Sequence, residues 1–123
     1  MEIYQEFGFD AAHRFPGTPE GHRYHGVHGH SFTARVVVAG TPDARTGFVA
    51  DLGELERACA GLRESLDHRF LNEVGGLEVP SLEHIAMWIW AKLEPAFPGL
   101  VRVEVRRDSV RHGAVYTGPG RSP

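Results

Sequence analysis

His13, His28 and His30 are the residues of this chain whose types and spacing could do the most chemistry. Eight histidines occur in 123 residues, and five of them (His13, His22, His25, His28 and His30) precede residue 31. From Ser31 the sequence Ser-Phe-Thr-Ala-Arg-Val-Val-Val-Ala reads as a strand. If that strand starts a few residues earlier, the two-residue side-chain repeat puts His28 and His30 on one face. Gly29 between them would let the backbone pass close to another group. His13 ends a second strand-like run that begins at Ile3, so neighbouring strands would bring a third imidazole to the first two. Three imidazoles without a fourth protein ligand make the catalytic kind of zinc site, which keeps one position for water or substrate; with no thiolate nearby, a closed structural site is not expected. An isolated His-x-His is most simply a polar strand face, and it is the third histidine and the clustering that point to Zn2+.

A second arrangement is Asp67-His68. A carboxylate hydrogen-bonded to one ring nitrogen fixes the tautomer and raises the basicity of the other. From the dipeptide alone, a structural and a catalytic role both stay open.

The elements that must position these groups follow from pattern. The first strand runs from Met1 to His13, and Pro16-Gly17-Thr18-Pro19-Glu20-Gly21 breaks it. A second strand covers about 28 to 40, with the nearly continuous apolar end Val36-Val37-Val38-Ala39 expected where both sides are covered. Asp51, followed three positions later by Glu54, has the pattern of a helix cap, and Leu55, Ala58, Cys59, Leu62 and Leu66 continue at helical spacing up to Asp67-His68. Cys59 therefore reads as a small buried hydrophobe and Asp51 as a cap. Residues 74–80 form a loop. Ser81 then caps a second helix with Ile85, Ala86, Trp88, Ile89 and Leu93 as its buried side, ended by Pro95 and Pro98-Gly99. Leu100 to Arg106 alternates as a strand with one wet face, and Gly113 to Thr117 is its hairpin partner. The order is β, β, α, α, β, β, an α+β domain over 1–118 followed by a tail of 119–123.

Composition bounds the rest. A chain of 123 residues with 41% hydrophobic content suits one domain with a modest core, for which association would supply further burial. A formal charge of −3 without blocks of like charge gives no footprint for nucleic acid or anionic membrane. Neither a signal peptide nor a membrane span is visible, and one cysteine excludes an intramolecular disulfide. A cytoplasmic location is expected.

Phe9-Asp10-Ala11-Ala12-His13-Arg14-Phe15-Pro16, Gly21-His22-Arg23 and His28-Gly29-His30-Ser31-Phe32 resemble the 6-pyruvoyl-tetrahydropterin synthase and 6-carboxy-tetrahydropterin synthase family. Further likenesses follow in the family's order: Gly47 to Leu52, Leu66-Asp67-His68-Arg69-Phe70-Leu71-Asn72, Pro80-Ser81-Leu82-Glu83, Trp88-Ile89-Trp90 and Tyr116. The resemblance implies the tunnelling fold (T-fold), an antiparallel four-stranded sheet with two helices on one face, three subunits closing into a barrel and two trimers stacking into a hexamer. It implies zinc on His13, His28 and His30, and an active-site pair at Asp67 and His68. It also implies a lyase acting on 7,8-dihydroneopterin triphosphate, of the 6-carboxy-tetrahydropterin synthase type, in queuosine-like deazapurine or pterin synthesis. A relative cleaving the dihydroneopterin side chain as an aldolase, or a non-catalytic pterin- or purine-binding protein, would carry the same scaffold.

Three positions depart from that family. Its synthases place a proton-transferring cysteine four residues before the first histidine of His-Gly-His; here that residue is Tyr24. A tyrosine with its ordinary pKa near 10 is a poor base at neutral pH, which makes the adjacent His25 the expected substitute. Family members also hold the guanidine-like edge of the pterin on a glutamate of the third or fourth strand, backed by a threonine or serine pair. Counting back from Gly113 and Tyr116 puts Asp108 at the glutamate, and Ser81 and Leu82 at the pair. Ser81 and Asp108 are thus the expected substrate contacts, with Glu83 capping or bracing the helix.

Overall fold

A computed structural model describes residues 1–120. Residues 121–123 of the expected tail lie outside the described residues. Strand β1 (Glu2–His13) pairs antiparallel with β2 (His28–Ala39) in unbroken register from Glu2 opposite Ala39 to His13 opposite His28. Helix α1 (Leu52–Leu66) and helix α2 (Leu82–Leu93) follow, separated by a short 3-10 turn at Leu71–Glu73. Strand β3 (Leu100–Arg107) then pairs with β2, and β4 (His112–Tyr116) with β3, so the sheet order is β1-β2-β3-β4. This is the β, β, α, α, β, β order that the pattern predicts, in the α+β tunnelling-fold layout that the resemblance implies.

Alternation decides which face is covered. Phe9, Ala11 and His13 of β1 stand opposite Phe32, His30 and His28 of β2, while Ala34 and Val36 stand opposite Val105 and Val103 of β3. These side chains share one face, and most of them are buried in one core with Leu55, Cys59 and Leu66 of α1 and Ile85, Ala86, Ile89 and Leu93 of α2. Along β2 the covered face changes from Val36, Ala34 and Phe32 to His30 and His28. The histidines therefore form the last layer of the core.

The other face is open and charged. Arg102 joins Glu2 and Glu104, and Glu6 bridges Arg35 and Arg106 at 2.8 and 3.4 Å. Val37 is buried on this face although no second layer covers it, because its strand neighbours are Tyr4 and Arg102, whose long stems shield it.

The helix caps are as predicted: Asp51 accepts from the backbone N–H of Gly53 and Glu54, and Ser81 from that of His84. Cys59 is buried, and desolvation pushes its thiol up to about 11. The buried side of α2 differs at one position. Trp88 lies roughly 120° round the helix from the middle of the buried stripe; it is half-buried at the rim, donating its indole N–H to the Gly75 carbonyl. Leu82 and Trp90 fill the core instead. Tyr116 packs edge-on against Trp90, and the following Gly118, at φ 101°, brings backbone against the same indole, where a Cβ would lie 2.7 Å from Trp90 Cζ2. No helix is long and apolar enough to cross a membrane among the described residues.

Candidate metal centre and adjoining pocket

Strand register puts His13 directly across from His28, and the two-residue repeat puts His30 on the same face. Ring centroids are 4.5 Å apart for His13 and His28, 5.3 Å for His13 and His30, and 5.0 Å for His28 and His30. One nitrogen from each ring lies within 4.8 Å of the others. Backbone carbonyls hold two of the rings: His13 Nδ1 is 3.0 Å from Pro80 O and His28 Nδ1 is 2.8 Å from Gly26 O. A carbonyl can only accept, so each Nδ1 carries the proton and each Nε2 presents a lone pair. Both of those Nε2 atoms are buried with no hydrogen-bond partner.

Orphaned acceptors aimed at one another are costly unless something electropositive sits between them. An all-imidazole donor set without thiolate suits zinc or another borderline divalent ion, so these residues fit the metal that the sequence predicts. Burial and the neighbouring cations disfavour protonation of His13 and His30. His13 is pushed down to about 4, chiefly by desolvation, with the Pro80 carbonyl opposing and His28, His30 and Arg107 adding to the shift. His30 is lowered by desolvation, then by Arg107, His28 and His112.

Gly29 plays a smaller part than expected. A Cβ there would meet the Ala11 carbonyl at 3.4 Å, an ordinary contact, so what comes near is the neighbouring strand.

Asp67 and His68 stand at the end of α1. The Asp67 carboxylate accepts from the Asp10 backbone N–H at 2.9 Å and sits 3.1 Å from both Arg63 Nη2 and His68 Nδ1. These contacts, the backbone one foremost, hold its carboxyl below the usual carboxylate range. His68 adopts φ 58°, fixed by its backbone N–H donating to Asp10 O, and its ring is largely exposed. It borders a cleft of about 640 Å³ shared with His30, Asp10, Ser31 and Phe70. His68 therefore faces the cleft at the edge of β1, with Asp67 behind it, and shares that cleft with His30 of the histidine triad.

The loop before β2 separates the two candidates for the missing cysteine. Tyr24 packs its ring 5.8 Å from that of His28, beside Phe15. His25 instead turns Nδ1 to Thr18 O at 2.9 Å, within its own loop. Phe15, Thr18, Tyr24, Ser81, Leu82, Glu83 and Arg107 line a pocket of about 240 Å³. Ser81, an expected contact, borders this pocket while its Oγ caps α2.

Asp108 does not border the pocket. Its carboxylate accepts from Thr33 Oγ1 at 3.1 Å and from Arg106 Nε at 2.8 Å, both on the open face of the sheet. The residue of β3 that reaches the pocket is Arg107, in phase with Val103 and Val105; its Nη1 lies 3.4 Å from His30 Nε2 and its guanidinium 5.7 Å from the Tyr24 ring centroid. Counting back from β4 stops one residue short of Arg107, because the turn between the strands is longer than a tight hairpin. Counting forward by twos from Val103 reaches Arg107.

Comparison with known proteins agrees with the fold. The chain is 45% identical over 98% of its length to a 6-carboxy-5,6,7,8-tetrahydropterin synthase of Synechocystis, covering 96% of that protein. It is 34% identical to a dihydroneopterin monophosphate aldolase of Pyrococcus furiosus, over 83% of this chain and 82% of that one. In three dimensions it matches a Caenorhabditis elegans 6-pyruvoyl tetrahydropterin synthase with a TM-score of 0.86 at 22% identity, covering 96% of this chain and 95% of that one. Residues 2–119 match the family described as 6-pyruvoyl tetrahydropterin synthase, and the chain belongs to that family.

Proposed function

We propose that this protein is a zinc-dependent lyase acting on a dihydropterin side chain, with 7,8-dihydroneopterin triphosphate as substrate and a 6-carboxy-tetrahydropterin as product. The observation that carries the reading is the pair of buried, unpartnered Nε2 atoms of His13 and His28 facing each other beside His30. The 45% identity to a 6-carboxy-5,6,7,8-tetrahydropterin synthase supports the substrate class.

His13, His28 and His30 would hold the ion. Bound there, zinc would act as a Lewis acid toward the side-chain hydroxyls and make the protons on their carbons more acidic. The chain's own residues then move protons. Asp67 holds His68 through Nδ1, which leaves His68 Nε2 as the acceptor toward the cleft. In the cysteine's place we assign Tyr24, whose ring packs on His28, as a proton donor rather than a base; His25 keeps the fold of the loop through Thr18. Ser81 would contact the substrate from the head of α2. The reading extends to a hexameric, cytoplasmic enzyme of queuosine-like synthesis, built from one domain over 1–118.

A second reading, cleavage of the side chain by retro-aldol chemistry, is favoured by the 34% identity to an aldolase acting on dihydroneopterin monophosphate. That reaction uses the same hydroxyls with a different base. Incubating the zinc-loaded protein with 7,8-dihydroneopterin triphosphate and weighing the products by mass spectrometry separates the two. A 6-carboxy product supports the lyase, a 6-hydroxymethyl product the aldolase, and unchanged substrate refutes both. Tyr24→Phe should lower turnover at least tenfold, and His25→Ala should leave it within threefold.

A further inference from the structure

Arg107 is 9% exposed, yet among the described residues no carboxylate forms an ion pair with it. Its Nε is buried without a hydrogen-bond partner. A guanidinium taken out of water without a counter-charge costs several kcal/mol, so the fold alone gives no reason to keep one here. The neighbouring arginines of β3 behave differently: Arg102 and Arg106 both lie on the open face in ion pairs.

The surroundings supply no compensating negative charge. His112 stands opposite Arg107 across β3 and β4, and His30 adjoins Arg107 through Nε2. Glu83 is the one carboxylate lining the pocket, and it forms no ion pair with Arg107. Tyr24, Thr18 and Ser81 supply hydroxyls around the same space.

We propose that Arg107 makes this pocket a receptor for an anionic group of the substrate, a carboxylate or a phosphoryl, where relatives use a carboxylate to hold a guanidine-like ring edge. A guanidinium presents only donors, in a planar fork that matches two oxygens of one anion. It repels an amino-and-imino donor edge. The pterin ring would then lie in another orientation or be bordered by another subunit. The inference rests on the preceding reading only in taking this pocket for the substrate's.

The test is fluorescence titration of the zinc-loaded full-length protein with pterin-6-carboxylate and with the neutral 6-hydroxymethylpterin, in the wild type and in three variants. Wild type should bind the carboxylate at least tenfold more tightly than the neutral ring. Arg107→Gln should lose that preference, Arg107→Lys should keep part of it, and Arg107→Glu should reverse it. Thermal melts check folding. Should Arg107→Gln not fold, Arg107→Met, which keeps the stem and removes the charge, takes its place. Inorganic phosphate and tripolyphosphate are titrated without pterin by calorimetry. Binding that falls tenfold in Arg107→Gln identifies a phosphoryl group as the anion, and carboxylate preference without phosphate binding identifies a carboxylate. Arg107-dependent phosphate binding with no affinity for either pterin sustains the anion site while removing the pterin reading. Equal carboxylate preference in wild type and Arg107→Gln, with phosphate binding also unchanged, overturns the proposal.

Discussion

Acidification of the metal-free protein should destabilise it through His13. The ring is 1% exposed and, mainly by desolvation, its pKa is pushed down from 6.5 to about 4. The unfolded chain takes up this proton near pH 6.5, whereas the folded chain resists it until about pH 4. Between those values the unfolded state binds more protons, so stability falls as the pH falls. The contribution is fully present above pH 6.5, declines through the interval, and is fully lost below about 4. The shift of about 2.5 pH units corresponds to about 3 kcal/mol, a sizeable part of the 5–15 kcal/mol typical of a domain. Urea unfolding of the apoprotein at pH 7.5, 6.0, 5.0 and 4.5 measures it, with His13→Gln as the reference that lacks the titrating ring. The wild type should lose about 2–3 kcal/mol more than the variant across that range. Equal losses in the two proteins would refute the argument that burial of this ring governs the acid limb. Excess zinc should raise the whole curve, by about 2.7 kcal/mol when free ion is 100 times its Kd.

Other consequences can be checked separately. Cys59, buried and raised to about 11, should resist Ellman's reagent at pH 8 in the native protein and react fully in guanidinium; rapid native labelling would contradict its placement. Gly118→Ala must fit a Cβ 2.7 Å from Trp90 at φ 101° and should cost about 1–3 kcal/mol in urea melts. Ser81→Ala removes the α2 cap and should cost about 1 kcal/mol, whereas a loss under 0.3 would show the cap to be idle. Chelation with dipicolinate should lower the Tm of the zinc-loaded wild type and leave that of His28→Ala unchanged, since the variant lacks a ligand.

Periodicity was enough for the elements because each carries its own signal. Asp51 and Ser81 cap their helices through side-chain oxygens a few residues from their targets, and His28, His30 and Val36 share a face because a strand cannot arrange them otherwise. The convergence of the three histidines was legible for the same reason, with one addition: His13 meets the pair only because β1 and β2 run in register to their ends. Trp88 shows the limit of counting apolar residues, since about a third of a helical turn separates the rim from the middle of the core face.

What only tertiary structure decided lies at the ends of strands and in the loops. Whether Asp108 or Arg107 enters the pocket depends on how many residues the β3–β4 turn consumes, and one residue of difference reverses the face and the sign of the charge. Whether Tyr24 or His25 approaches His28 depends on a loop held by backbone hydrogen bonds, such as Phe15 N–H to Tyr24 O, and by the His25–Thr18 contact, none of which leaves a period in the sequence. The cradle of Pro80 and Gly26 carbonyls that sets the histidine tautomers belongs to backbone, for which no residue type codes.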